Sequence, residues 1–175
     1  LNIVQAAKLA HIKRFIFISS AGVVSGVEEF SNMPSYQEHN LIPLNVYTYS
    51  KLIAEMTVAC SLKNTSIHYA IIRPPLVYGY SCPGNFARLV NLFKYFPINA
   101  FSCLNDKRTF ISIDNLVSAI SSALNSLSFI SGSTFMVGDQ LPVSIAEIAE
   151  LCYSKKSISI KLPIPRSFLS FIFLI

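Results

Sequence analysis

Tyr47 and Lys51 stand four residues apart in the stretch YTYSKLIAE at 47–55, and that spacing puts two side chains on one face of a helix. A lysine ammonium beside a tyrosine phenol is a candidate catalytic pair, in which the lysine acts on the phenol next to it. Read without chemistry, the same residues are a helix start with an aromatic on its buried face. Ser19 and Ser20, followed by Ala21 and Gly22, could hydrogen-bond a substrate or cap their own turn. Arg73, directly before Pro74 and Pro75, reads by itself as a surface or salt-bridged residue.

Strands and helices must bring these groups together. The continuous apolar run at 13–19 suits a strand buried on both faces of a parallel sheet, and Gly22 and Gly26 end it. A polar loop with Pro34 and Glu38 follows, and Pro43 precedes a helix over 47–62. The run at 66–73 is the next strand, closed by the two prolines. Strand, helix and strand form a βαβ unit with a right-handed crossover, so the fold class is α/β with a parallel sheet. Ligands of such sheets collect at the carboxyl ends of the strands, where the serine pair, Arg73 and the helix of Tyr47 would converge. Residues 2–10 read as the end of a helix that precedes this unit.

Beyond Pro75, residues 78–84 read as a loop, 85–96 as a helix, and 99–104 and 108–113 as strands of a small lobe. Asp114 is expected to cap a helix to about 125, 134–137 to form a strand, and Ser144 to cap a last helix with Glu147 completing a capping box.

Composition narrows the function classes. With 52% hydrophobic and 13% charged residues in 175, the chain is one packed domain or a piece of a larger one, and not disordered. Its net charge of +5 forms no basic stripe, which argues against a nucleic-acid partner. Cys60, Cys82, Cys103 and Cys152 lack any C-x-x-C pair and read as reduced, mostly buried thiols of a cytoplasmic protein with no metal. No signal peptide or membrane span is seen; the apolar run at 167–175 is too short to cross a bilayer, although a helix there could touch one.

Four stretches, RFIFISSA at 14–21, YTYSKLIAE at 47–55, IRPPLVYG at 72–79 and KRTFISID at 107–114, resemble the extended short-chain dehydrogenase/reductases, in particular the NAD-dependent nucleotide-sugar epimerases and dehydratases, in order and at about their intervals. The resemblance implies a partial Rossmann-type parallel sheet with a small C-terminal substrate-binding lobe. Residues 1–78 would be the C-terminal part of the NAD-binding domain, and 79–175 mainly the lobe, with 114–137 returning to the first domain.

By position, the resemblance makes Tyr47 the catalytic base, Lys51 the lysine on the nicotinamide ribose, and Ser20 the residue that hydrogen-bonds the reacting sugar oxygen. Ser19 would then be structural and Tyr49 packing. Pro74 and its neighbours would line the nicotinamide and the sugar, Asn85 and Phe86 would hold the sugar diphosphate, and Arg108 would grip the pyrophosphate with its fork of donors. The implied cofactor is NAD, with NADP left open. The implied reaction is epimerisation at C4 of a UDP-hexose or UDP-N-acetylhexosamine through a 4-keto sugar, in the synthesis of surface-polysaccharide precursors. The stretches at 105–117 and 161–166 most resemble bacterial surface-polysaccharide epimerases and related 4-keto-sugar reductases.

A nucleotide 4-keto-6-deoxysugar reductase is the alternative enzyme, and a non-catalytic nucleotide- or partner-binding remnant the alternative of another class. Two departures stand out. Leu76 occupies a position where many relatives carry asparagine, and the glycine-rich phosphate-binding turn is not in the sequence. The resemblance therefore implies that about a third of the enzyme, at the N-terminal end, is missing, that this stretch alone is inactive, and that the whole enzyme is a homodimer.

Overall fold

The computed structural model describes residues 2–24, 45–80, 85–95, 98–99, 104–154 and 160–161. The expectations for Gly26, Pro34, Glu38 and Pro43, for Cys82 and Cys103, and for the stretches at 162–166 and 167–175 lie outside these residues.

β1 (Arg14–Ile18) runs parallel to β2 (His68–Arg73), with Arg14 opposite His68 and Ile18 opposite Ile72. β7 (Thr134–Met136) lies parallel on the other side of β2, so β2 is the central strand of the order β1-β2-β7. Five consecutive residues of β2, Tyr69 to Arg73, are buried. That is why its sequence is a continuous run and does not alternate. Side chains of the two faces go to separate clusters. Phe15, Phe17 and Tyr69 pack with Val4 of α1 (Asn2–Leu9) and with Val58 and Leu62 of α2 (Val46–Leu62). Ile16, Ile18 and Ile72 pack with Ile111, and with Leu116 and Ile120 of α4 (Ile113–Asn125). Helices thus cover both faces.

α2 begins one residue before the expected Tyr47 because Asn45 supplies a cap. Thr48 N donates to Asn45 Oδ1 at 2.9 Å, and Asn45 N donates to Thr48 Oγ1 at 3.2 Å. These bonds satisfy two amides that the first turn leaves open. The helix buries Thr48, Glu55, Val58 and Leu62. Cys60, expected to be buried, is exposed on the opposite face, where the helical period turns it away from the Val58 and Leu62 side.

Past Pro75 the structure departs from the expected loop. Tyr78 belongs to a short strand, β3 (Leu76–Tyr78), parallel to β6 (Phe110–Ser112). α3 (Asn85–Tyr95) buries Phe93, and β4 (Ile98–Asn99) pairs with β9 (Ile160–Lys161). β5 (Lys107–Arg108) runs antiparallel to β8 (Val143–Ser144), which leads into α5 (Ile145–Ser154). Ser144 and Glu147 form the expected capping box, at 3.1 and 2.7 Å. α4 is capped by Ser112 and not by Asp114: Ser112 Oγ accepts from Asn115 N at 3.1 Å. Asp114 falls in the first turn instead, where its charge favours the positive end of the helix. Among the described residues, no helix is long and apolar enough to cross a membrane.

Asp139 joins these parts. Its carboxylate accepts from Tyr78 Oη at 2.8 Å, Asn115 Nδ2 at 2.7 Å and Ser112 N at 3.2 Å, while its own N–H donates to Phe110 O at 2.8 Å. Burial acts to raise the carboxyl pKa, but the donors Asn115, Tyr78 and Ser112 outweigh it and hold it below its ordinary value. The Tyr78 phenol moves the other way, raised by that hydrogen bond first and then by burial and the Asp139 charge.

A carboxyl with a depressed folded-state pKa stabilises the fold above its unfolded value and loses that contribution as pH falls through the folded value. Asp139→Ala is therefore expected to cost roughly 1 kcal/mol at pH 7, the net scale of such hydrogen bonds. The difference from wild type should shrink once pH drops below about 4, the ordinary aspartate range. Urea unfolding at pH 7 and pH 3 checks both statements, and a pH-independent difference would count against the hub.

Candidate active site

The first turns of α2 pass the carboxyl end of β1, and Lys51 reaches across. Its Nζ donates to Ile18 O at 3.1 Å and stands 5.9 Å from the centre of the Tyr47 ring and 5.3 Å from that of Phe17. The four-residue spacing has thus put ammonium and phenol side by side. One of the three ammonium hydrogens is used on Ile18, which leaves two for a ligand. Tyr47 is 59% exposed, so its side chain is open to solvent beside that ammonium. Tyr49, expected to pack, is 56% exposed; it lies on the outward face with Val46, Ile53 and Met56, which are exposed as well.

Ser20 stands at the same end of the sheet. It caps a single 3-10 turn, Ala21–Val23, in extended conformation, and its Oγ accepts from Gly22 N at 3.2 Å. Accepting that bond leaves the hydroxyl hydrogen to donate. Ser19 N donates to Ile72 O at 2.7 Å and Ala21 N to Pro74 O at 2.8 Å, which seats the serine turn against the buried Pro74. The turn also abuts α2: a Cβ on Gly22 would lie 2.8 Å from Thr48 Cγ2. Ser19 is 4% exposed, and its hydroxyl has no partner among the described residues.

Arg73 does not face this space. Its Nε donates to Glu55 Oε1 at 2.9 Å and its Nη2 to Glu55 Oε2 at 2.5 Å, both residues being 5% exposed or less. The salt-bridged reading of Arg73 holds, and Glu55 is the partner that sequence reading left unnamed. Its place four residues after Lys51, on the same helical face, was the available signal.

The structure therefore brings Ser20, Tyr47, Lys51 and Pro74 to one corner. Phe86, in the first turn of α3, is half-buried, with its ring 5.6 Å from that of Tyr78 and 6.1 Å from that of Phe110. Asn85 opens the same helix, and its side chain lies outside the described residues. Arg108 is exposed on β5, opposite Val143. Leu76 is half-buried in β3, opposite Phe110. The Tyr78, Asn115 and Asp139 cluster had no sequence signal, because its members come from segments 24 and 61 residues apart.

Residues 1–138 match the NAD dependent epimerase/dehydratase family. UDP-glucose 4-epimerase of Vibrio cholerae is 35% identical over 166 residues, 94% of this chain and 50% of that protein. UDP-glucuronic acid 4-epimerase from Bacillus cereus, solved in complex with NAD, is similar at a TM-score of 0.72 and 25% identity, over 92% of this chain and 53% of its own. RMD from Pseudomonas aeruginosa, complexed with NADPH, gives a TM-score of 0.71 at 22% identity over 93% and 59%, a likeness of fold alone. The chain spans about half the length or less of the curated relatives that it matches, and its described sheet and helices form part of the Rossmann-type fold of these neighbours. Four motifs in register, the corner that three of them build and a family match over 1–138 of 175 residues lead to one conclusion: the chain belongs to the NAD dependent epimerase/dehydratase family.

Proposed function

We propose that this chain is the proton-transfer and substrate-binding portion of an NAD-dependent nucleotide-sugar 4-epimerase. Its substrate is a UDP-hexose or UDP-N-acetylhexosamine, used in making surface-polysaccharide precursors. The observation that carries this reading is Lys51 beside Tyr47 at the end of β1, with Ser20 and Pro74 in the same corner. The similarity to UDP-glucose 4-epimerase of Vibrio cholerae supports the same class of substrate.

The residues present fit the ribose end of a nicotinamide cofactor. Lys51 has two donors left for a diol, and Pro74 is a buried wall with no N–H and with its carbonyl already bonded to Ala21 N. The cofactor supplies a reversible hydride acceptor. Tyr47 takes the proton of the sugar 4-hydroxyl as the hydride leaves C4, Ser20 donates to the sugar oxygen, and Lys51 stabilises the charge on the phenol oxygen. At the 4-keto sugar that such a reaction passes through, Tyr47 would give the proton back to the C4 oxygen, and Ser20 and Lys51 would hold the same atoms in both directions. Cofactor is regenerated, so an epimerase consumes none, whereas a 4-keto-sugar reductase would use reduced cofactor stoichiometrically; product analysis separates the two.

Asn85, Phe86 and Arg108 are assigned to the sugar diphosphate, with the exposed guanidinium of Arg108 as the charge-assisted donor. The division near residue 78, with 114–137 returning to the cofactor domain, belongs to the same reading and is supported by β7 lying in the main sheet. The exposed apolar stripe Val46, Tyr49, Ile53 and Met56 on α2 suits contact with a second copy of the whole enzyme. The free thiol of Cys60 suits the reducing cytoplasm.

In an enzyme completed with the parts of the Vibrio cholerae relative that this chain does not cover, Tyr47→Phe is expected to lower kcat at least about a hundredfold with little change in sugar-nucleotide affinity. Tyr49→Phe should be near neutral, and equal losses from the two would remove Tyr47 from its role. Arg108→Ala should weaken UDP-sugar binding by roughly 1.5–3 kcal/mol, the scale of a charge-assisted hydrogen bond, and leave NAD affinity unchanged; calorimetry showing unaltered UDP affinity would leave Arg108 a solvated surface residue. The 175-residue chain itself, whose sequence holds no glycine-rich phosphate-binding turn, should not bind NADH. Saturable binding in a fluorescence titration up to millimolar NADH would mean that other residues build the cofactor site.

A further inference from the structure

We propose that the buried Glu55–Arg73 ion pair is a positioning pair, setting the height at which α2 carries Lys51 and Tyr47 past the end of β1. The kinetic part of this inference rests on the epimerase reading; the geometric part does not. Tyr47, Lys51 and Glu55 follow one another at four-residue intervals, so Lys51 and Glu55 are neighbours one helical turn apart.

α2 is held to the rest of the structure in two different ways. Its C-terminal half is anchored by Val58 and Leu62 in the apolar cluster with Val4, Ile67 and Tyr69. Its N-terminal half exposes Val46, Tyr47 and Tyr49. The contacts there include Thr48 packed on Gly22 and Lys51 on Ile18 O and over the Phe17 ring, and Glu55, at the middle of the helix, holds Arg73. Apolar contact is non-directional and by itself tolerates small rotations of a helix. The two-pronged guanidinium–carboxylate bond, at 2.9 and 2.5 Å, fixes both direction and distance.

Arg73 ends β2 and directly precedes Pro74, so the pair ties the helix to the strand whose end seats the serine turn. For stability alone, a buried ion pair offers little over well-packed apolar residues of the same volume. What it adds here is a fixed geometry at the end of the helix where protons would move.

Two variants separate positioning from folding. Glu55→Leu with Arg73→Met removes both charges and fills the volume, while Arg73→Lys keeps the charge and loses the fork. Acetic anhydride labelling of the native chain, read by mass spectrometry, compares Lys51 with Lys63, exposed at the end of the same helix. Positioning predicts that the Lys51-to-Lys63 ratio rises at least about threefold in each folded variant, because a displaced ammonium leaves Ile18 O. In the completed enzyme, both variants should lower kcat at least about tenfold with KM within about twofold, since only alignment for proton transfer is lost.

An unchanged labelling ratio in a folded variant overturns the proposal whether or not the completed enzyme turns over. Loss of the fold in both variants also overturns it, because the pair would then be a structural element only. A raised ratio together with an inactive completed wild type supports the positioning and counts against the epimerase reading.

Discussion

The end of β2 is the constraint on which the site depends. Three successive carbonyls there are spoken for: Ile72 O accepts from Ser19 N, Arg73 O from Val137 N, and Pro74 O from Ala21 N. Pro74 cannot donate to a ladder, and its ring fixes the backbone, so regular pairing has to stop where it does. The first and third of these bonds hold the chain after β1 in place, and the second holds the chain after β7. Neighbouring strands are thereby trimmed to a common edge, where Ser20 can turn away into its short helix. A parallel sheet covered on both faces leaves few other places where polar side chains of separate elements can meet.

The second half of the chain is organised by a polar joint. Asp139 follows β7 and takes hydrogen bonds from β3, from the cap residue of α4 and from the first turn of α4. A carboxylate is suited to this position because the amino end of a helix carries partial positive charge. Tyr78 adds an apolar body to the same joint, its ring meeting Phe86, which in turn meets Phe110. Phe86 therefore links the start of α3 to the β3 and β6 pair, and whatever it contributes to a ligand it contributes from a packed position.

How much of this was legible in the sequence follows from the range of each interaction. β1 and β2 were readable because burial on both faces writes an unbroken apolar run, and Lys51 beside Tyr47 because a four-residue spacing is a local fact. β3 was not, because three residues after two prolines carry no periodicity and its pairing with β6 is decided 34 residues away. The cap of α4 went to Ser112 over Asp114 because both residue types can cap and only the backbone decides which oxygen reaches the third amide. Glu55 lies between the two cases. Its place on the helix was readable, but its partner, 18 residues on, was not. Arg73 could be read as salt-bridged without its carboxylate being known.

Lys51 and Tyr47 differ in how firmly they are placed, and the difference has a chemical sense. The ammonium is held by a carbonyl and two ring faces before any ligand arrives, so little reorganisation is needed when charge develops beside it. The phenol, in contrast, is more than half exposed, and in water its proton would be shared with solvent. Transfer to a sugar hydroxyl requires that solvent be displaced from the phenol oxygen. On the proposed reading the bound sugar itself supplies that displacement. On that reading, the cation is preset and substrate binding completes the environment of the acid and base. Proton transfer would then be confined to the time when a substrate is in place.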